Sequence, residues 1–194
     1  MGGLQMMDMQ VEQPTLHLET TMGHLRQGQK IGKALIITLR NLQIEVGTSK
    51  PFYTLNPHLY HYITPNTRWG YFWKVAYEQE LNVEIYNYWT PKPSYINDRN
   101  IMEVAVEDKY FRNKNRFKLE SINKCQMYLQ VFFISEMEIG QGLIDKKYLT
   151  GQTKFYHPEV IIPLQEKPTT TEWKDWKEFI FRNFLKGAYT IHPP

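Results

Sequence analysis

The chain has 194 residues, a net charge of +3, one cysteine and 14% aromatic residues. That length suits one substantial domain or two small ones, with a core that needs no covalent staples. The lone Cys125 excludes an intramolecular disulfide and a Cys-rich zinc site, and no apolar run approaches the roughly 20 residues of a membrane span, so a soluble protein without a membrane partner is expected, in an intracellular, nuclear or cytoplasmic setting.

In chain order, the paired Gly2 and Gly3 favour a turn over a helix start. Pro14 suits a first helical turn, and Leu16, Leu18, Met22 and Leu25 predict a helix that runs until glycines interrupt it. Ile31, Leu35, Leu39, Leu42 and Val46 then recur every three or four residues, which predicts a helix with these on one face and Gly47 as its stop. Three prolines make 51–65 an irregular linker. Helical spacing resumes at Arg68 for about 13 residues, with Trp69, Phe72 or Trp73, and Ala76 on a common side. Alternation in VEIYNYW predicts a strand or extended arm.

Asn97 is the expected cap of a helix carrying Ile101, Ala105 and either Val104 or Tyr110 inward. The longest amphipathic run follows, with Phe117, Ile122, Cys125, Leu129, Phe132 and Phe133 along one stripe. Gly140, Gly142 and Gly151 predict a loop or small hairpin. Thr169 and Glu172 form a capping pair for a last helix, with Trp173, Trp176, Ile180 and Phe184 on one face and Gly187 at its end. Together these elements predict a mainly α protein: an irregular helical domain of five to six helices with at most a short strand or hairpin. Its expected organisation is an N-terminal turn and helical hairpin over 1–50, a linker over 51–65 and a helical domain over 66–194, with one continuous domain as the alternative.

Catalytic constellations do not assemble. His58 and His61 are three apart among prolines with no third ligand indicated, which fits ordinary histidines better than a metal site. Glu103 and Glu107, with Asp98 and Asp108 nearby, match a solvated helix face better than an acid–base pair. Cys125 falls on the apolar side of its helix, where it serves as a small hydrophobe. The glycine patterns of phosphate loops, dinucleotide folds and nucleophile elbows are absent, and no cofactor is expected.

One stretch differs. Lys109, Arg112, Lys114, Arg116 and Lys118 lie within ten residues that hold no acid, interleaved with Tyr110, Phe111 and Phe117. Cations that displace counterions beside rings that accept unstacked bases are what a nucleic-acid surface requires. A solvated basic turn between helices has the same composition. Arg68, Lys74 and Arg40 form a second tier of candidate phosphate contacts, and Lys30 and Lys33 extend the same helix face as Arg40.

The segment Gly2-Gly3-Leu4, followed by amphipathic helices, resembles the junction after the polymerase palm of non-LTR reverse transcriptases. The order of Asn123, Cys125, Tyr128, Leu129, Val131, Glu136, Gly140 and Gly142, and then of Trp173 and Trp176, is similar to the region downstream of the polymerase core in retroelement proteins of microbial eukaryotes. The resemblance covers about residues 1–187. It implies a non-catalytic thumb-like segment that grips an RNA or RNA–DNA duplex beside an upstream polymerase domain, with the metal-binding palm aspartates lying before Met1 and no catalytic residue here. A helical protein-interaction module is the alternative from a different class, and a free-standing enzyme is a third reading.

Overall fold

The computed structural model describes residues 9–81, 83, 90–114, 116–140, 142–158, 161–185 and 190–191, with the backbone alone for 9–11, 14, 112–114, 116 and 190–191. The expected opening turn, most of the VEIYNYW strand and the Gly187 stop lie outside the described residues.

Two helices, α1 (Met9–Gln27) and α2 (Lys30–Val46), form a hairpin that reverses at Gly28. Helix α1 begins five residues before Pro14, which therefore falls in its second turn and not at its start, and Gly23 does not interrupt it. The hairpin can close because residue 32 is glycine: a Cβ there would collide with the His24 carbonyl of α1. Helix α2 ends as its pattern predicts. Gly47 takes a left-handed φ of 74° and its N–H donates to the Gln43 and Ile44 carbonyls at 3.0 and 2.9 Å. Leu39, Leu42 and Val46 are buried in the main cluster, whereas Ile31, on the part of α2 that precedes it, is 55% exposed.

The proline-rich connection is more regular than expected. A 3-10 turn covers Phe52–Thr54, and Pro57–Tyr60 forms one helical turn, α3, capped by Asn56, which accepts the His58 N–H at 2.9 Å. Pro57 stands at the first helical position, where its missing donor costs nothing. Helix α4 (Arg68–Glu78) starts at Thr67, whose hydroxyl accepts the Gly70 N–H at 3.2 Å. It buries Phe72 and Ala76 with Leu18 and Val83, and it sends Trp73 into the main core, where the indole N–H donates to the Leu55 carbonyl at 2.8 Å.

Asn97 is not the next cap. It sits at φ 73°, and Asn100 caps α5 (Ile101–Glu107) by accepting the Glu103 N–H at 3.0 Å. The single helix expected here is two, because Asp108 takes an extended conformation and then caps α6 (Lys109–Lys114) by accepting the Tyr110 N–H at 2.9 Å. Helix α7 (Arg116–Leu129) is central: Leu119, Ile122, Cys125 and Leu129 are fully buried. Phe117, expected on that stripe, is instead 70% exposed, since it lies two residues before Leu119 and therefore about 200° around the helix from it. Phe132 and Phe133 are buried but follow the helix end, which is marked by Gln130 at φ 59°.

The glycine-rich stretch is a hairpin. Strands β1 (Glu138–Gly140) and β2 (Leu143–Ile144) pair antiparallel, and β3 (Thr190–Ile191), which the patterning does not predict, joins β2 in parallel with Ile144 opposite Ile191. A short helix α8 (Lys146–Thr150), capped by Asp145, follows where loop was expected. Helix α9 (Thr170–Ile180) opens with the predicted capping box: Thr169 accepts the Glu172 N–H and the Glu172 carboxylate accepts the Thr169 N–H at 2.6 Å. A π-helical turn, Phe181–Leu185, extends it.

The protein is mainly α. The described residues hold nine α-helical segments where five to six were expected, the excess being the short α3, α6 and α8, too brief to leave a periodic signature. One buried cluster runs from Leu39 of α2 through Trp73, Ile101, Leu119 and Ile122 to Trp176 and Phe179 of α9, so α2 shares its core with the helices after the linker. A polar clamp reinforces this sharing: the Gly47 carbonyl accepts the side-chain amides of Asn100 at 3.3 Å and Gln126 at 2.8 Å.

Candidate nucleic-acid interface

The ten-residue cationic stretch spans three structural settings. Lys109 is exposed at the start of α6, Arg112 and Lys114 lie on α6, and Arg116 opens α7. Lys118 is different. Its ammonium lies 2.7 Å from Glu178 Oε2 and 3.7 Å from Asp175 Oδ1, and 4.9 Å from the Tyr110 ring centroid, whose hydroxyl donates to Glu178 Oε1 at 2.6 Å. Burial lowers the ammonium's proton affinity, yet the bonds with Glu178 and Tyr110 outweigh it and leave the group raised. Lys118 thus fastens α7 to α9 and does not present its charge outward, which corrects its place among the phosphate contacts. The sequence window contained no acid; the acids come from α9, some sixty residues later.

The second-tier cations are placed more openly. Arg40 is half-buried on α2, while Arg68 and Lys74 are exposed on α4. Arg68, Tyr71 and Lys74 recur every three residues, so cation, ring and cation form a stripe along that helix. Tyr71 is 52% exposed. The Arg68 guanidinium lies 5.5 Å from the Phe72 centroid and 3.0 Å from His17 Nε2, contacts that orient it without cancelling its charge. Among the described residues no carboxylate pairs with Arg68 or Lys74.

Tyr71 and Lys74 open onto a groove of about 850 Å³ between α4, the 61–66 loop, the end of α2 and α7. Tyr62, packed on His61 with centroids 3.6 Å apart, lines the loop side. Asn66, Asn123 and Gln165 supply amides. Asn123 also holds the walls together, donating to the Glu45 carbonyl at 2.7 Å. The charges are mixed: Lys124 is paired with Glu172 at 3.0 Å, Glu45 and Glu120 face the groove, and burial raises the Glu45 carboxyl. The composition of this groove escaped sequence reading because its walls come from four separate segments. The three-residue spacing of Arg68, Tyr71 and Lys74 was the available signal.

The other chemical candidates are engaged in structure. His58 meets the edge of Tyr77 with centroids 5.8 Å apart, and His61 Nδ1 lies 3.2 Å from the Pro57 carbonyl. Among the described residues no three His, Cys, Asp or Glu side chains gather as metal ligands. Glu103 is not a solvated carboxylate: it accepts the Ser49 hydroxyl at 2.6 Å and pairs with Lys50 at 3.1 Å, tying α5 to the segment that follows α2. Cys125 is fully buried, and burial pushes its thiol well up, which suits packing and not nucleophilic attack. No described helix is long and apolar enough to cross a membrane. No family model, curated protein or solved structure matches the chain.

Proposed function

We propose that this chain is a non-catalytic, nucleic-acid-holding helical segment of a reverse-transcriptase-like protein, working beside an upstream polymerase domain in an intracellular, nuclear or cytoplasmic setting. The observation that carries the reading is the exposed Arg68–Tyr71–Lys74 stripe beside the groove, since cations next to flat rings serve phosphates and bases together. Lys109, Arg112, Lys114 and Arg116, close in sequence on α6 and the start of α7, are taken as a second set of phosphate contacts. The resemblance of residue order to retroelement proteins supports the same reading and supplies the expected partner, an RNA or RNA–DNA duplex, recognised through shape, phosphates and 2′-hydroxyls.

Binding of an RNA–DNA duplex, followed by fluorescence anisotropy between about 50 and 200 mM salt, tests it. Affinity is expected to fall steeply with salt, and the log–log slope to drop by roughly one per phosphate contact removed in Arg68→Ala with Lys74→Ala, or in Arg112→Ala with Lys114→Ala and Arg116→Ala. No binding, or a slope that neither set changes, overturns it. The second reading, a protein-interaction module, is favoured by one feature: Tyr156, Ile161 and Leu164, exposed at 77, 92 and 85%, surround a shallow depression with Ile162 and His157. A partner held there binds with little salt dependence.

A further inference from the structure

We propose that the α4–α7 groove seats an unpaired nucleobase, so that the protein prefers nucleic acid with a single-stranded tail over a blunt duplex. The inference rests on the nucleic-acid reading above and names what part of the ligand enters this site. At about 850 Å³ the groove lies within the roughly 300–1,000 Å³ of ordinary ligand pockets, whereas a duplex, which is wider than such a pocket, can only lie across its mouth.

The lining decides which group enters. Glu45 and Glu120 would repel a phosphate drawn inside, and Lys124 is already engaged by Glu172. Lys74 lines the groove at its α4 edge and is exposed there, so it can meet a backbone that passes along the helix while the attached base enters. A base is neutral, planar and edged with donors and acceptors, which matches the amides of Asn66 and Gln165 and the exposed faces of Tyr62 and Tyr71. Phosphates outside and a base inside is thus the arrangement in which each charge meets a suitable neighbour. Rings accept any base, so the preference is for unpaired structure and not for one sequence.

The test compares two probes on the full chain at one salt concentration: a blunt RNA–DNA duplex, and the same duplex with a single-stranded tail carrying 2-aminopurine. The tailed probe is expected to bind about tenfold more tightly, with its 2-aminopurine emission changed on binding. Tyr62→Ala with Tyr71→Ala should remove that preference, so that the tailed and blunt probes then bind alike, and Tyr71→Phe with Tyr62→Phe should restore it. Equal binding of the two probes, or a preference that survives the double alanine change, overturns the base seat and leaves the nucleic-acid reading standing. Failure of both probes to bind overturns the two together.

Discussion

The seam between α7 and α9 and the outer face of α4 are made of the same residue types and have opposite characters. In the seam, Lys118 and Lys124 meet Glu178 and Glu172, and the rings of Tyr110, Phe111, Trp176 and Phe179 close over one another. On α4, Arg68, Tyr71 and Lys74 stand open with no carboxylate beside the two cations among the described residues. A cation next to a ring is therefore not a signature of binding by itself. What separates the two regions is the source of the neighbours: α9 brings acids to Lys118 and Lys124 of the seam, and among the described residues no carboxylate pairs with the cations of α4.

Substitutions can break this contrast in order of expected effect. Trp176→Ala in the seam is expected to cost about 3–5 kcal/mol in urea unfolding, because the side chain is fully buried and its indole N–H donates to the Tyr148 carbonyl at 3.2 Å. A loss under about 1 kcal/mol would mean that the seam is not packed as described. Lys118→Ala should cost ~1–2 kcal/mol, discounted for the partial exposure of Glu178, and should leave the salt dependence of nucleic-acid binding as it was. Thr169→Ala, which removes the α9 cap on the seam's rim, is expected to cost about 1 kcal/mol in the same assay. Arg68→Ala with Lys74→Ala sits at the other end: stability should stay within about 0.5 kcal/mol, while the binding slope falls.

A pH prediction sharpens the comparison from a third place, the buried loop after α7. Burial pushes the Glu136 carboxyl up to about 7 from its ordinary 4.5, against the opposing pull of the Phe132 and Phe133 N–H groups, while the Asp98 charge adds to the rise. The folded state then holds the proton more tightly than the unfolded chain between those values, so this group's contribution to stability falls as pH rises from about 4.5 to 7. His157, whose Nε2 lies 3.7 Å from Glu136, is lowered by burial and acts in the opposite direction as pH approaches its ordinary 6.5. Melting temperature followed across that range should decline less in Glu136→Gln than in the parent chain; identical profiles would remove Glu136 as the source.

Elements with their own start and stop were legible from sequence. Helices α2 and α9 carry a periodic face and a local end signal, and the end signals act as expected: α2 stops at Gly47 and α9 starts at the Thr169–Glu172 box. Elements fixed by distant partners were not. Asn100 outcompetes Asn97 as a cap because it is also drawn to the Gly47 carbonyl across the core. Strand β3 depends on a partner forty-seven residues back in sequence, at Leu143 opposite Thr190. The site followed the same rule. The α4 stripe lies within one helix and its cations were singled out, while Tyr62, Asn66 and Gln165 belong to loops whose meeting no local pattern announces.

The clamp at Gly47 bears on how the groove behaves before anything enters it. One carbonyl oxygen joins the end of α2 to the cap of α5 and the last turn of α7, so the α2 wall cannot shift without straining two other helices. A cleft held in that way arrives already shaped, and little ordering remains to oppose capture of a guest. On the proposed reading, selectivity then comes from fit to walls set in advance, and an oversized occupant is expected to be turned away instead of accommodated.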